Sequence, residues 1–257
     1  MEFKYNSVEF ANQVEGNLNL EDGIDCPICK NKGYIVYLEK DKYEKVKDCE
    51  CMPKRRTMKR LLRTGINRDT LERLNFKNFN IDNKWQESVR DTLVNYCKNF
   101  KDDNNAWVYL SGISGSGKTH LCTATFQYLI KQGYEGEYLL WNEFLPRMIA
   151  MERSVIEDVQ HEYQELLNRL QNIDVLYIDD FLKLTNQEEL NRSLSIAYRI
   201  LNARYINNKI TIISSEVSDG DLEQLDLAIF GRIFEKTCKG KYMIYTTDDK
   251  SRNYRMR

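Results

Sequence analysis

Five short apolar runs, at 106–110, 137–141, 175–178, 210–213 and 242–245, mark out the second part of the chain. Between them lie stretches with apolar residues at helical spacing: 119–132, 143–170 with a break, 187–206 and 221–238. The runs are rich in β-branched and aromatic residues, and polar side chains rarely interrupt them. That is the pattern of strands buried on both faces. Such strands alternating with helices predict an α/β fold, a parallel sheet between helix layers. None of the three prolines falls inside a run.

Upstream the pattern is weaker. A helix is expected over 7–14 and another over 85–100, after a connecting stretch that carries Phe76 and Phe79. Residues 33–38 and 43–46 read as a hairpin turning near Asp41. Within 52–64, Met58, Leu61 and Leu62 recur at i, i+3 and i+4, so a helix there is amphipathic. The expected division is a first module over 1–51, a basic helical linker over 52–75 and the α/β domain over 76–257.

Composition adds limits. With 257 residues, 42% apolar and 30% charged, the chain suits one α/β domain plus a small module. The formal net charge of −1 gives no bulk attraction to a polyanion. Local charge does differ. Residues 1–25 are acidic, whereas Lys54, Arg55, Arg56, Lys59, Arg60 and Arg63 follow one another with no acid between Pro53 and Gly65. One face of that helix can meet nucleic-acid phosphates, and the same charges equally suit a solvated helix bridging two domains. The tail adds Lys250, Arg252, Arg255 and Arg257. No apolar run approaches the roughly 18 residues that cross a bilayer, and the first residues lack the form of a secretory signal. The expected location is cytoplasmic, with no membrane partner.

The chemistry concentrates in three places. Gly112-Ile113-Ser114-Gly115-Ser116-Gly117-Lys118-Thr119 matches Gly-x-x-x-x-Gly-Lys-[Ser/Thr] between an apolar run and a helical stretch that opens with His120. Its glycines let backbone N–H groups turn inward at phosphate oxygens. Lys118 then reaches the β and γ phosphates, and the Thr119 hydroxyl ligates magnesium. The run 175–178 ends in Asp179 and Asp180. Asp179 is expected to hold the magnesium and Asp180 to activate the attacking water; alone, the same pair reads as a solvated turn with Asp180 capping a helix. The run 210–213 ends in Ser214 and Ser215, either of which can face the γ-phosphate or the water. Arg232 reads as an arginine finger toward a neighbouring subunit or as a surface arginine.

The third place is Cys26-x2-Cys29, then nineteen residues, then Cys49-x-Cys51. Two close pairs brought together by a hairpin suit a structural Zn²⁺ held by four thiolates, a zinc-ribbon-like module with no open coordination position. Cys97, Cys122 and Cys238 read as small buried hydrophobes.

Taken together, Cys-Pro-x-Cys with Cys-x-Cys, the basic helix, Gly-Lys-Thr-His-Leu at 117–121, Ile-Asp-Asp at 178–180, Gly-Arg-Ile at 231–233 and Asn-Tyr-Arg at 253–255 resemble the bacterial and phage replicative helicase loaders. These are the DnaC/DnaI-like branch of the AAA+ P-loop ATPases. The resemblance implies an ATPase in DNA replication that binds ATP, magnesium and single-stranded DNA, self-associates when ATP is bound and delivers a replicative helicase. It places Ser214 or Ser215 at the first sensor and Arg232 at the inter-subunit finger. The transposition-helper ATPases of the IstB-like kind, which bind duplex DNA, share this core, and an ATP-gated protein adaptor is the remaining alternative. The chain departs from many AAA+ proteins in having Asp-Asp where they have Asp-Glu, and only Arg255 offers itself as a second sensor.

Overall fold

The computed structural model describes residues 7–39, 43–63, 68–183 and 187–246. The expected turn at Asp41, the Gly65 interruption and the basic tail with Arg255 lie outside the described residues. Two short helices, α1 (Ser7–Gln13) and α2 (Leu18–Asp22), precede an antiparallel hairpin of β1 (Tyr34–Leu38) and β2 (Glu44–Asp48), with Val36 opposite Val46. The Asn12 side chain borders the hairpin's outer edge. Its amide donates to the Val36 carbonyl at 2.7 Å and its oxygen accepts the Val36 N–H at 3.0 Å.

The basic segment forms α3 (Met52–Arg63), which starts directly after Cys51. Its charges are largely paired within the chain. Arg55 is buried and donates to both Asp22 oxygens at 2.7 and 2.8 Å. Arg56 bridges Asp48 and Glu135, at 2.8 and 2.9 Å, and Arg60 pairs with Glu135 and Glu137. The helix is thus a strut rather than an open basic face, and among the fully described side chains of the set Lys59 stands exposed. Leu61 enters the main core, as does Leu71 of α4 (Arg68–Arg73), so this stretch packs as part of the α/β body.

The Arg55–Asp22 pair is nearly sealed, with side chains 3% and 9% exposed. Breaking one side of such a pair strands a charge, at a cost of about 3–5 kcal/mol. Arg55→Met is therefore expected to lower the denaturant midpoint of the 1–63 region well below wild type, and the Arg55→Met/Asp22→Leu double variant to recover part of that loss. Additive losses in the double variant would show that the two side chains do not act as a pair.

After a 3₁₀ turn at Phe76–Asn78, the chain continues through α5 (Lys84–Asn99), β3 (Val108–Ser111), α6 (Lys118–Lys131), β4 (Gly136–Leu140), α7 (Trp141–Arg153), α8 (Glu157–Asn172) and β5 (Val175–Phe181). It ends with α9 (Gln187–Ile206), β6 (Ile210–Ser215), α10 (Asp219–Leu225), α11 (Leu227–Lys236) and β7 (Met243–Tyr245). Among the described residues, five parallel strands run in the order β4-β5-β6-β3-β7. The stretch expected as one helix over 221–238 is two. Asp226 adopts an extended backbone, and its carboxylate accepts the N–H groups of Ala228 and Ile229, which caps a new helix there.

Side chains alternate between two cores. Val108, Leu110, Tyr138, Val175, Tyr177, Ile210 and Ile212 face α5 and α6, whereas Tyr109, Leu139, Leu176, Ile178 and Ile213 face the α7, α8, α9 and α11 layer. The alternation fixes which strand-end residues can meet the helix that follows the phosphate loop. At the sheet margin α3 grips β4: the Gly136 N–H donates to Thr57 Oγ1 at 2.9 Å, and Arg60 Nε donates to the Gly136 carbonyl at 3.3 Å. A Cβ at Gly136 would lie 2.6 Å from Phe126 and Ile130, so only glycine lets the strand approach this closely.

Candidate functional site

The loop between β3 and α6 turns at Gly112, Gly115 and Gly117, with φ of 136°, 77° and 92°. These are values that residues with a Cβ rarely adopt. Gly117 is also crowded: a Cβ there would meet the Phe79 ring at 2.8 Å. The Phe79 ring in turn takes the edge of His120, with centroids 5.2 Å apart, and His120 Nε2 donates to the Asn75 carbonyl at 2.8 Å. Burial holds the His120 pKa below its ordinary value, which keeps the ring neutral in this bond. The 3₁₀ turn therefore braces the start of α6 from outside.

Lys118 is 6% exposed, and its Nζ donates to the Gly112 and Ile113 carbonyls at 2.9 and 2.8 Å. It folds back over its own loop, whose turn also leaves Ser114 half-buried. Burial lowers its pKa, while Glu216 and Asp180 oppose that shift. Ser116 is sealed and shares a hydrogen bond of 2.8 Å with Thr246, whose hydroxyl donates to the Ser111 carbonyl at 2.9 Å.

Thr119 Oγ1 donates to Asp179 Oδ1 at 3.2 Å, joining the start of α6 to the end of β5. Ser214 Oγ donates to the same oxygen, and Tyr138 OH donates to Asp179 Oδ2 at 3.2 Å. Asp179 is 4% exposed, so this hydroxyl shell is what solvates its charge. A buried carboxylate beside a threonine hydroxyl at a phosphate loop is a donor set that fits magnesium.

Asp180 sits at a bulge in β5 with φ of 53°, and its N–H donates to Ser214 Oγ at 3.3 Å. Its carboxylate lies 3.6 Å from Lys183 Nζ, which also pairs with Glu216 at 2.9 Å. Ser215 takes the other face of the sheet, where its hydroxyl donates to the Phe181 carbonyl at 2.7 Å and accepts the Val217 N–H at 3.0 Å. Of the two serines, then, Ser214 is the one brought to Asp179.

Arg232 lies on α11 and is not gathered into this cluster. It donates to Asn202 Oδ1 at 2.8 Å, to the Ala228 carbonyl at 2.7 Å and to Tyr198 OH at 3.0 Å, and it stacks over the Tyr198 ring at 4.7 Å.

The sulfur atoms of Cys26, Cys29, Cys49 and Cys51 all lie within 4.8 Å of one another. Cys26–Cys49 and Cys29–Cys51 are separated by 3.8 and 3.6 Å, too far for disulfide bonds. A zinc tetrathiolate with Zn–S bonds of about 2.3 Å has S···S edges of about 3.8 Å, so the cluster fits the ion. Backbone N–H of Gly33 and Nε of Arg55 donate to Cys29 and Cys51 sulfurs, each at 3.3 Å. The one-residue spacing of Cys49 and Cys51 is met by the start of α3, where Met52 N–H donates to the Cys49 carbonyl and bends the chain back.

Sequence reasoning did not single out Tyr138, Lys183, Glu216 or Thr246. Strand alternation was the available signal for Tyr138: it pairs in register with Tyr177, two residues before Asp179 on the same face.

Comparison with known proteins places this geometry. The bacterial DnaA ATPase domain family matches residues 72–236, well over half of the chain. The chain belongs to this family. It is an AAA+ ATPase, and its resemblance to the DnaC/DnaI-like loaders holds. The match to the DnaA ATPase domain begins in α4 and stops at the end of α11, so the cysteine cluster lies outside it. Phage-like element PBSX protein XkdC of Bacillus subtilis (strain 168) is 31% identical over 223 residues, covering 82% of this chain and 79% of that protein. The replicative helicase loader DnaC of Buchnera aphidicola subsp. Schizaphis graminum is 28% identical over 170 residues, covering 66% of this chain and 63% of the loader. Among solved structures, a DnaC helicase loader aligns with a TM-score of 0.57 at 21% identity, over 70% of this chain and 98% of that one. DnaI aligns with a TM-score of 0.53 at 17% identity, over 70% and 90%. At these identities the structural likeness concerns the fold. Among the described residues no helix is long and apolar enough to cross a membrane.

Proposed function

We propose that this replication-related ATPase is a replicative helicase loader: it binds ATP with magnesium, self-associates, engages single-stranded DNA and delivers a helicase in the cytoplasm. The observation that carries the reading is the contact between Thr119 and Asp179, 3.2 Å across the mouth of the phosphate loop, in a chain of the DnaA ATPase family that also matches loaders. On this reading residues 112–120 cradle the triphosphate. Lys118 turns from the Gly112 and Ile113 carbonyls to the β and γ phosphates. Thr119 and Asp179 hold the magnesium, which neutralises charge on the phosphate oxygens.

Asp180 orients the attacking water and takes its proton as the water oxygen bonds to the γ-phosphorus and the bond to the β–γ bridging oxygen breaks. Ser214 fixes Asp179 and the Asp180 backbone together. Ser215 acts one step removed, through the Phe181 carbonyl. Arg232 is the finger offered to a neighbouring subunit. Cys26, Cys29, Cys49 and Cys51 hold a structural zinc in a module spanning 1–51, and 76–257 forms the ATPase domain, with α3 and α4 packed against it as the strut between the two.

The test combines two measurements on the full chain. Single-stranded DNA is expected to raise ATP turnover more than duplex DNA does at the same salt, and immobilised protein to retain the host's replicative helicase in an ATP-dependent way. Duplex preference with no helicase retained would reject the loader assignment and favour a transposition helper.

A further inference from the structure

Tyr138 sits in the middle of the margin strand β4, opposite Tyr177 of β5. The two rings meet edge to face, with centroids 5.1 Å apart at 69°. Tyr138 is 7% exposed and its hydroxyl donates to Asp179 Oδ2 at 3.2 Å, whereas the Tyr177 hydroxyl is buried and, among the described residues, makes no hydrogen bond of good geometry. The two oxygens of Asp179 are therefore held from opposite sides. Oδ1 takes Thr119 of α6 and Ser214 of β6, and Oδ2 takes Tyr138 of β4.

We propose that Tyr138 is a positioning residue for Asp179: its hydroxyl fixes the carboxylate's rotation and so sets how tightly magnesium is held with the nucleotide. The inference rests on the reading of Asp179 as the magnesium acid. The final torsion of an aspartate is broad and two-fold, so its rotation is set by hydrogen bonds rather than by a rotamer well. Thr119 and Ser214 both hold Oδ1, and Ser214 Oγ also accepts the Asp180 N–H at 3.3 Å, so neither acts on Oδ2. The phenol is different. Its ring is wedged against Tyr177, and its strand is gripped two residues earlier, where α3 holds Gly136. Tyr138 is thus the donor that holds Oδ2, and with Oδ1 already held it fixes the rotation of the carboxylate. Residues that hydrogen-bond to a metal ligand in this way change metal affinity by about 10- to 100-fold when removed.

The experiment uses the full chain as wild type, Tyr138→Phe and Asp179→Asn. ATP affinity is measured by calorimetry in EDTA and again across a magnesium titration, with thermal unfolding recorded for each. Tyr138→Phe keeps the ring and its packing. It is expected to bind metal-free ATP as wild type does while needing about tenfold more magnesium to reach the same gain in affinity. A change in the metal-free affinity equal to that in magnesium would instead assign Tyr138 a merely structural role and overturn the proposal. An unchanged magnesium requirement in Tyr138→Phe would overturn it as well. Asp179→Asn separates the two layers. If it loses the magnesium response and Tyr138→Phe does not, this inference alone fails. If Asp179→Asn keeps the wild-type response, the reading of Asp179 fails with it.

Discussion

Lys118→Ala is expected to remove ATP turnover, with a loss of at least about 10²–10³-fold, the range for deleting one preorganised donor aimed at developing charge. The lysine is 6% exposed and, among the described residues, bonds only to carbonyls of its own loop, at 2.9 and 2.8 Å. Burial already lowers its pKa, so the ammonium gains from an anion that replaces those two neutral acceptors. Hydrogen bonds from a charged donor contribute about 1.5–3 kcal/mol each, and truncation at the same time relieves the cost of burying the charge, so the two effects oppose and the fold should change little in stability. Calorimetry with ATP and magnesium checks this directly. Wild-type heat from a folded Lys118→Ala protein would remove the loop from the nucleotide site.

The second large effect is expected at the cysteine cluster. On the proposal that the four cysteines hold zinc, a chelator or Cys29→Ser should unfold the hairpin module while leaving the α/β body folded. Apparent zinc binding energies of about 10–16 kcal/mol in small modules exceed what this one can draw from its own core. That core, among the described residues, is Cys26, Cys29 and Cys49 with Ile35 and Cys51 against them, and β2 is exposed along its whole length. Hydrogen exchange reads the outcome. Amides of β1 and β2 should lose protection while those of β5 and β6 keep theirs. Retained protection in β1 and β2 after chelation would mean that the module stands without metal.

The sheet and the phosphate loop were readable from the chain because both depend on local rules. An apolar run of five residues between helical stretches has few alternatives to a buried strand, and three glycines before a lysine permit backbone angles that other residues resist. The same holds for the four cysteines, whose spacing and hairpin suffice to bring the sulfurs together. What the chain concealed depends on contacts across long separations. Arg56 and Arg60 read equally as a phosphate-facing surface or a solvated bridging helix, because Glu135, which pairs with both, lies 79 and 75 positions away. Phe79 braces Gly117, and Tyr138 reaches Asp179, only after the strands are in place. Asp226 was legible in principle, since an aspartate before an apolar helical stretch is a cap, but the uninterrupted helical spacing around it masked the break.

The cage around Arg232 bears on how copies of this chain would meet. Asn202, the Ala228 carbonyl and Tyr198 already restrict its guanidinium to one orientation. Ordering a long side chain at an interface costs about 0.5–1.5 kcal/mol, and here that entropy is surrendered during folding rather than during association. On the proposal that Arg232 is the inter-subunit finger, a neighbouring molecule would dock against a rigid cation, so the probability that a collision is productive would depend less on waiting for the arginine to find its pose.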